Sequence, residues 1–317
     1  MTHRALITGA SGFLGGFLAE HLLACGDAVL GTSVDGQWEP TSPPDLRGVV
    51  ELLPWDVSRD DGLNDEHWQR IAAFQPTCVY HLAGLSVPAD CGRDKPTPEA
   101  LAINVGGTRR VVERIAQLPR RPRFLMISTS HVYPPGKVGD PPVDEMQQPG
   151  PRTPYGRTKL MAEQIVLRAV RAGVLDAVVA RAFQQIGPRQ NAKMMLSSWA
   201  SQFAAGRDPI EIFTRDAVVD VLDVRDGARA FRMLINAGRP GEVYNVASGL
   251  ARRTGHIFDI LHRLADPQRK VVETRPGIKQ DPVAVVDKIE NDTGWHATIP
   301  LARTVADTYA WWRSRTP

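Results

Sequence analysis

Tyr155-Gly156-Arg157-Thr158-Lys159 sets a phenol and an ammonium four residues apart. On a helix these positions share one face, about one turn from each other. An ammonium held there favours the ionised phenol and is expected to draw its ordinary pKa of about 10 toward neutral pH. A tyrosine tuned in this way can pass a proton to or from a substrate oxygen while a hydride moves at the same carbon. The same pattern also occurs as a solvated surface pair, so its meaning depends on what stands upstream. There, Thr8-Gly9-Ala10-Ser11-Gly12-Phe13-Leu14-Gly15 joins an apolar strand candidate to a helix candidate. Glycines at 9, 12 and 15 allow a tight turn, close approach to a pyrophosphate, and packing of the helix on a sheet. The helix N-terminus adds free N–H groups and the positive end of its dipole.

An acidic residue near the end of the second strand holds the ribose 2′-OH in NAD binders, whereas arginine accommodates the NADP phosphate. Here that strand ends Gly31-Thr32-Ser33-Val34-Asp35, with no Arg or Lys in the loop. Asp35 reads either as the 2′-OH acceptor or as a turn residue. The expectation is NAD(H), with NADP(H) left open.

The elements that must position these groups alternate. Strands are expected near 4–8, 28–32, 49–53, 77–81, 123–128 and 176–181, and helices near 13–25, 65–74, 98–117 and 154–172. Apolar, β-branched strands alternating with amphipathic helices imply an α/β, Rossmann-type doubly wound parallel sheet covered on both faces. Thr97-Pro98 supplies a capping hydroxyl and a proline at the first helical position. Beyond 180 the alternation loosens, with helices expected near 193–205, 223–237, 253–264 and 301–313 and a strand at 242–246. Residues 1–180, with 219–248 returning to them, are read as the dinucleotide-binding domain. Residues 181–218 and 249–317 are read as a smaller substrate-binding lobe. The Pro-rich stretch from Tyr133 to Pro142 is expected to be a long surface loop beside the site.

Composition narrows the partners. The chain has 317 residues, 43% hydrophobic and 23% charged, with a formal net charge of +3. That charge is too small and dispersed to argue for nucleic acid, and Arg120-Arg121-Pro122-Arg123 reads as a solvated loop. Cys25, Cys78 and Cys91 are too few and scattered for a disulfide framework or a metal site. The first apolar run is short, and nothing approaches the roughly 20 apolar residues of a membrane span. A cytoplasmic protein without a membrane partner is expected.

Assembled, these residues resemble the extended short-chain dehydrogenases/reductases, the epimerases, dehydratases and reductases of nucleotide sugars. The resemblance runs through the Gly9–Gly15 loop, Asp56-Val57, His81-Leu82-Ala83-Gly84, Asn104, Ser128-Thr129-Ser130 and Tyr155/Lys159. It implies that Ser11, Phe13, Leu14 and Ser33 join the glycines and Asp35 around the dinucleotide. Asp56 and Val57 would meet the adenine, and Leu82, Ala83, Gly84, Ala182 and Phe183 would line the cofactor channel. Thr129, Tyr155 and Lys159 would be catalytic, Lys159 also holding the nicotinamide ribose. Asn104 is read as architectural and His81 as a core histidine. On the substrate side the resemblance points to Ser86, Thr129, Ser130, His131, Gln184, Arg189 and Arg275. It also implies a homodimer through the helices near 98–117 and 154–172, although Val111, Val112, Ile115, Ile165 and Val166 there fit a core equally well.

The second half is most similar to the GDP-4-keto-6-deoxymannose reductases, through Arg181–Gln190, Asp223–Asp226, Gly241–Gly249 and Thr293-Gly294-Trp295. Three positions depart. Dehydratases carry an acidic pair where this chain has Ser130 and His131. The reductases have Asn at Gln184, and an arginine for the diphosphate at Val219. Losing such a contact is expected to cost roughly 1.5–3 kcal/mol unless Arg189, Arg215 or Arg275 replaces it. The expected activity is reduction of the C4 keto group of a nucleotide-linked 4-keto-6-deoxyhexose. A 4-epimerase with retained NAD is the alternative, and a redox-inactive dinucleotide sensor or scaffold is a third reading.

Overall fold

The computed structural model describes residues 2–315. Six strands build the sheet through the first half: β1 (Arg4–Thr8), β2 (Ala28–Ser33), β3 (Glu51–Pro54), β4 (Cys78–His81), β5 (Arg123–Thr129) and β6 (Asp176–Ala182). Short strands β7 (Gln184–Ile186), β8 (Ile210–Ile212), β9 (Ala217–Val219) and β10 (Val221–Asp223) follow, before β11 (Val243–Val246) returns to the sheet. All its ladders are parallel, in the order β3-β2-β1-β4-β5-β6-β11. The order reverses at β1, and ligands of open α/β sheets bind in the crevice at such a switch point.

Along β1 the side chains alternate between two cores, as a strand covered on both faces requires. Ala5 and Ile7 join one apolar cluster with Leu18 and Leu22 of α1 (Phe13–Ala24) and Phe231 and Leu234 from a later helix. Leu6 joins the other, with Val111, Val112 and Ile115. These three, with Val166, are core residues, and Ile165 packs against them. Α short helix, α2 (Pro44–Val49), precedes β3 where the apolar run 49–53 suggested an earlier strand start. The next helix, α3 (Asp65–Phe74), is capped by the Asn64 side chain.

The helix expected at 98–117 is one continuous run with a wide middle. It starts as α4 (Pro98–Ala100), opens into a π-helical segment (Leu101–Gly107), and resumes as α5 (Thr108–Ile115). Thr97 accepts from Ala100 N at 3.1 Å, as the capping reading required. Next comes α6 (Pro154–Arg171), capped by Thr153 accepting from Gly156 N at 3.1 Å, with Pro154 in its first turn.

A third core lies outside the sheet. It is built on α7 (Met195–Ala204), α9 (Thr254–Ala265) and α11 (Leu301–Arg313), with Leu196, Trp199, Phe258 and Val305 among its members. The helix that supplies Phe231 and Leu234, α8 (Val224–Ala237), returns the chain to the sheet, and α10 (Asp287–Thr293) packs on α8 and β11. Pairs of very short strands brace this region: β12 (Arg252–Arg253) and β14 (Lys279–Gln280) on β9, and β13 (Val271–Glu273) on β8. The Pro-rich loop is anchored rather than free. Val143 bridges to Ala284, and Tyr133 Oη donates to Asn245 Oδ1 at 2.7 Å.

Candidate active site

The glycine loop is shaped by what a side chain would strike. Gly9 has φ +73°, and a Cβ there would lie 2.7 Å from Ala83 N. At Gly15 it would meet Ala10 O at 2.6 Å and the Gly9 carbonyl as well. Gly12 is the N-cap of α1 and offers no side chain, so the first N–H groups of the helix face outward without a cap. A bare helix N-terminus in a cradle that excludes Cβ atoms fits a pyrophosphate.

At the end of β2, Asp35 Oδ1 accepts from Gln37 N at 3.0 Å and from Ser33 Oγ at 3.3 Å. Asp35 is therefore a turn residue through one oxygen, while its exposed carboxylate keeps the other for an outside donor. The first arginine after it, Arg47, turns its guanidinium onto the carbonyls of Glu39, Pro40 and Ser42. Asp56 Oδ1 closes its own turn on Ser58 N at 2.9 Å, and Val57 is buried against Gly107.

The segment after β4 is held from both sides. Leu82 N donates to Thr8 O at 3.1 Å, beside the glycine loop. Asn104, at the centre of the π-helical turn, accepts from Leu85 N at 2.7 Å and donates to Leu85 O at 3.2 Å. Its amide also donates to Thr158 Oγ1 on α6 at 3.0 Å. The extra residue in that turn gives Asn104 its reach toward both neighbours, and π-bulges of this kind gather at functional sites.

His81 sits deep between two threonines: Nδ1 is 2.7 Å from Thr8 Oγ1 and Nε2 is 3.0 Å from Thr108 Oγ1. Thr108 already donates its single proton to Asn104 O at 2.7 Å, so it must accept from His81. The ring is therefore the neutral Nε2–H tautomer, and burial pushes its pKa down to about 3. It is a core histidine, as the sequence suggested.

Thr129 ends β5 with its hydroxyl accepting from His131 N at 3.2 Å, and it hydrogen-bonds the Tyr155 phenol. Lys159 lies one turn on along α6, buried, with Nζ beside Gly84. These three groups do come together at the mouth of the sheet. Their electrostatics differ from the expectation. Burial pushes the Tyr155 phenol up to about 12, offset only in part by the Thr129 hydrogen bond. Burial likewise pushes Lys159 down to about 8, opposed by Glu163. Desolvation penalises both ions in the same wall, so it outweighs their spacing along the helix. At neutral pH the phenol keeps its proton, and the group is an acid.

Ser130 and His131 open a short 3-10 turn, and the His131 ring packs edge-on against Tyr155, with centroids 5.4 Å apart. Ala182 and Phe183 are buried at the end of β6, followed by half-buried Gln184; Ser86 is exposed after the Leu82–Leu85 segment. Two of the three candidate phosphate arginines are engaged elsewhere. Arg189 makes a two-pronged ion pair with Glu20 on α1, at 2.7 and 2.8 Å, and stacks 3.6 Å over Phe17. That pairing holds the guanidinium against α1. Arg215 pairs with Asp259. Arg275 is exposed, 4.8 Å over the Phe213 ring, and has no carboxylate partner among the described residues. Val219 is buried in the third core.

Sequence reasoning missed a buried cluster behind Lys159. Glu163 receives Arg181 through Nε at 3.1 Å and Nη2 at 2.9 Å, together with Ser128 Oγ. The signal was available, since Glu163 stands four residues after Lys159 as Lys159 does after Tyr155.

An open parallel sheet, a glycine cradle at its switch point and a Thr–Tyr–Lys group at the next crevice define an enzyme of the short-chain dehydrogenase/reductase class. Residues 5–247 match the NAD dependent epimerase/dehydratase family, and the chain belongs to it. It is 28% identical to the GDP-6-deoxy-D-mannose reductase of Pseudomonas aeruginosa across 99% of both chains. It is 26% identical to the probable dTDP-glucose 4,6-dehydratase of Sinorhizobium fredii, over 98% of this chain and 92% of that one. The solved structure of RMD from Pseudomonas aeruginosa complexed with NADPH has a TM-score of 0.83 at 28% identity, covering 99% of this chain and 100% of that one. Among the described residues no helix is long and apolar enough to cross a membrane.

Proposed function

We propose that this enzyme reduces the C4 keto group of a nucleotide-linked 4-keto-6-deoxyhexose. The nicotinamide dinucleotide, when bound, supplies the hydride. Tyr155 donates the proton to the developing alkoxide, Thr129 hydrogen-bonds the same oxygen, and Lys159 steadies the charge that forms there. The Gly9–Gly15 loop with Ser11, Phe13 and Leu14 takes the pyrophosphate. Ser33, Asp35, Asp56 and Val57 take the adenosine end, and Leu82–Gly84, Ala182 and Phe183 take the nicotinamide end. The lobe formed by 181–218 and 249–317 receives the sugar nucleotide, with Ser86, Ser130, His131 and Gln184 near the hexose and Arg275 at the phosphates.

The observation that carries this reading is the meeting of three groups: Thr129 hydrogen-bonds the Tyr155 phenol, and Lys159 stands one turn on along the same helix. The absence of a carboxylate at Ser130 and His131 argues against dehydration. Asp35 with its free oxygen, and Arg47 turned onto backbone carbonyls, support NAD(H) over NADP(H). Leu101 and Met161, apolar and exposed on the π-helical turn and α6, support a homodimer through that face. A panel of nucleotide-linked 4-keto sugars, tested separately with NADH and NADPH, should show loss of nicotinamide absorbance. Tightly bound NAD with no net consumption of added cofactor would instead indicate the epimerase.

A further inference from the structure

Glu163 follows Lys159 by one helical turn, so both lie on the buried face of α6. The carboxylate is 1% exposed and is gripped at both oxygens by Arg181, with Ser128 donating as well. Ser128 directly precedes Thr129 on β5, so the strand that delivers a hydroxyl to Tyr155 delivers another to Glu163. Among the described residues the Lys159 ammonium has no hydrogen-bond or ion-pair partner. We propose that Glu163 is a positioning residue for proton transfer at Tyr155: its anchored carboxylate keeps the Lys159 ammonium charged inside the buried wall of the site. This rests on the reading of Tyr155 and Lys159 given above.

The groups that face Lys159 leave Glu163 as the anion among them. His81 on β4 is neutral. Cys91, in the 3-10 turn Pro88–Cys91, is a buried thiol whose pKa is raised by its surroundings. Tyr155 keeps its proton. Burial alone drives the lysine toward the neutral amine, and the Glu163 charge opposes it most strongly. A carboxylate fixed by a guanidinium and a hydroxyl cannot swing away, so it stays on the face of α6 that carries Lys159. The competing explanation is that Glu163 serves only to neutralise Arg181.

Two variants separate these, Glu163→Gln and Glu163→Gln combined with Arg181→Met. The titration of Lys159 is followed by NMR of lysine labelled with carbon-13 at Cε in the cofactor-free full chain, with the signal assigned from Lys159→Met. Alongside it, kcat/KM is measured against pH. Wild-type Lys159 should titrate near 8. In Glu163→Gln both this titration and the alkaline limb of kcat/KM should fall by about one pH unit or more. The double variant should keep a downward shift, because the anion is still missing. An unchanged titration in Glu163→Gln, or a return to the wild-type value in the double variant, overturns the proposal. If Glu163→Gln does not fold, the double variant decides alone, since removing both charges leaves no orphan ion. Should no 4-keto sugar turn over, the functional reading fails while the NMR titration still decides the role of Glu163.

Discussion

Replacing Lys159 by methionine should make the protein more stable at neutral pH while abolishing its activity. The lysine is 8% exposed, and its pKa falls from an ordinary 10.5 to about 8 in the folded chain. A depressed lysine binds its proton less tightly folded than unfolded, so the charge opposes folding wherever both states carry it. At 1.36 kcal/mol per unit, that shift corresponds to about 3 kcal/mol of lost stability. The penalty is fully present below pH 8, shrinks as pH rises through the folded pKa, and is gone above the unfolded value. Methionine keeps the apolar stem and removes the charge. Denaturant unfolding of wild type and Lys159→Met at pH 7, 9 and 10.5 should show an advantage of about 3 kcal/mol for the variant at pH 7, fading toward pH 10.5. Turnover by the variant should fall by at least about a hundredfold. A variant less stable than wild type at pH 7, or a difference that does not change with pH, would refute the electrostatic argument.

Tyr155→Phe should lower kcat by about 10²–10⁴ with little change in cofactor affinity, measured by steady-state kinetics and by nicotinamide fluorescence titration. Undiminished turnover would remove that residue from the chemistry. Gly15→Ala should abolish dinucleotide binding by calorimetry, because its Cβ would enter the carbonyls of Gly9 and Ala10; unaltered affinity would show that the loop does not cradle the cofactor. Arg275→Ala should raise KM for the sugar nucleotide by about 10–150-fold at nearly constant kcat, the loss of one charge-assisted phosphate contact. An unchanged KM would place the diphosphate elsewhere.

The grouping of these side chains at the strand ends was legible because it is written in local spacing. The glycine loop, the strand-end Thr129 and the Tyr155/Lys159 pair each follow from a strand–turn–helix context, and the β1–β6 strands from apolar runs. Long-range partners were not legible. Nothing in the order of residues indicates that Arg189 would meet Glu20, 169 positions away, so its charge was assigned to substrate. The direction of the Tyr155 shift was misjudged for a similar reason: helical spacing reports proximity, whereas burial is set by the whole fold. The short strands β7–β10 and β12–β14 were invisible because two or three residues carry no periodicity. The π-helical turn was likewise hidden, since one added residue barely disturbs an apolar repeat.

The pair of threonines around His81 gives this enzyme a built-in spectroscopic marker. The Nε2 proton is enclosed by Thr108, and the acceptor beyond is the Asn104 carbonyl inside the widened helical turn. A proton so shielded should exchange slowly with solvent and resonate downfield in the imidazole region. Its chemical shift depends on the Thr108–Asn104 geometry, which exists only while the turn keeps its extra residue. One resonance therefore reports whether the helix beside Lys159 is wound in its native form.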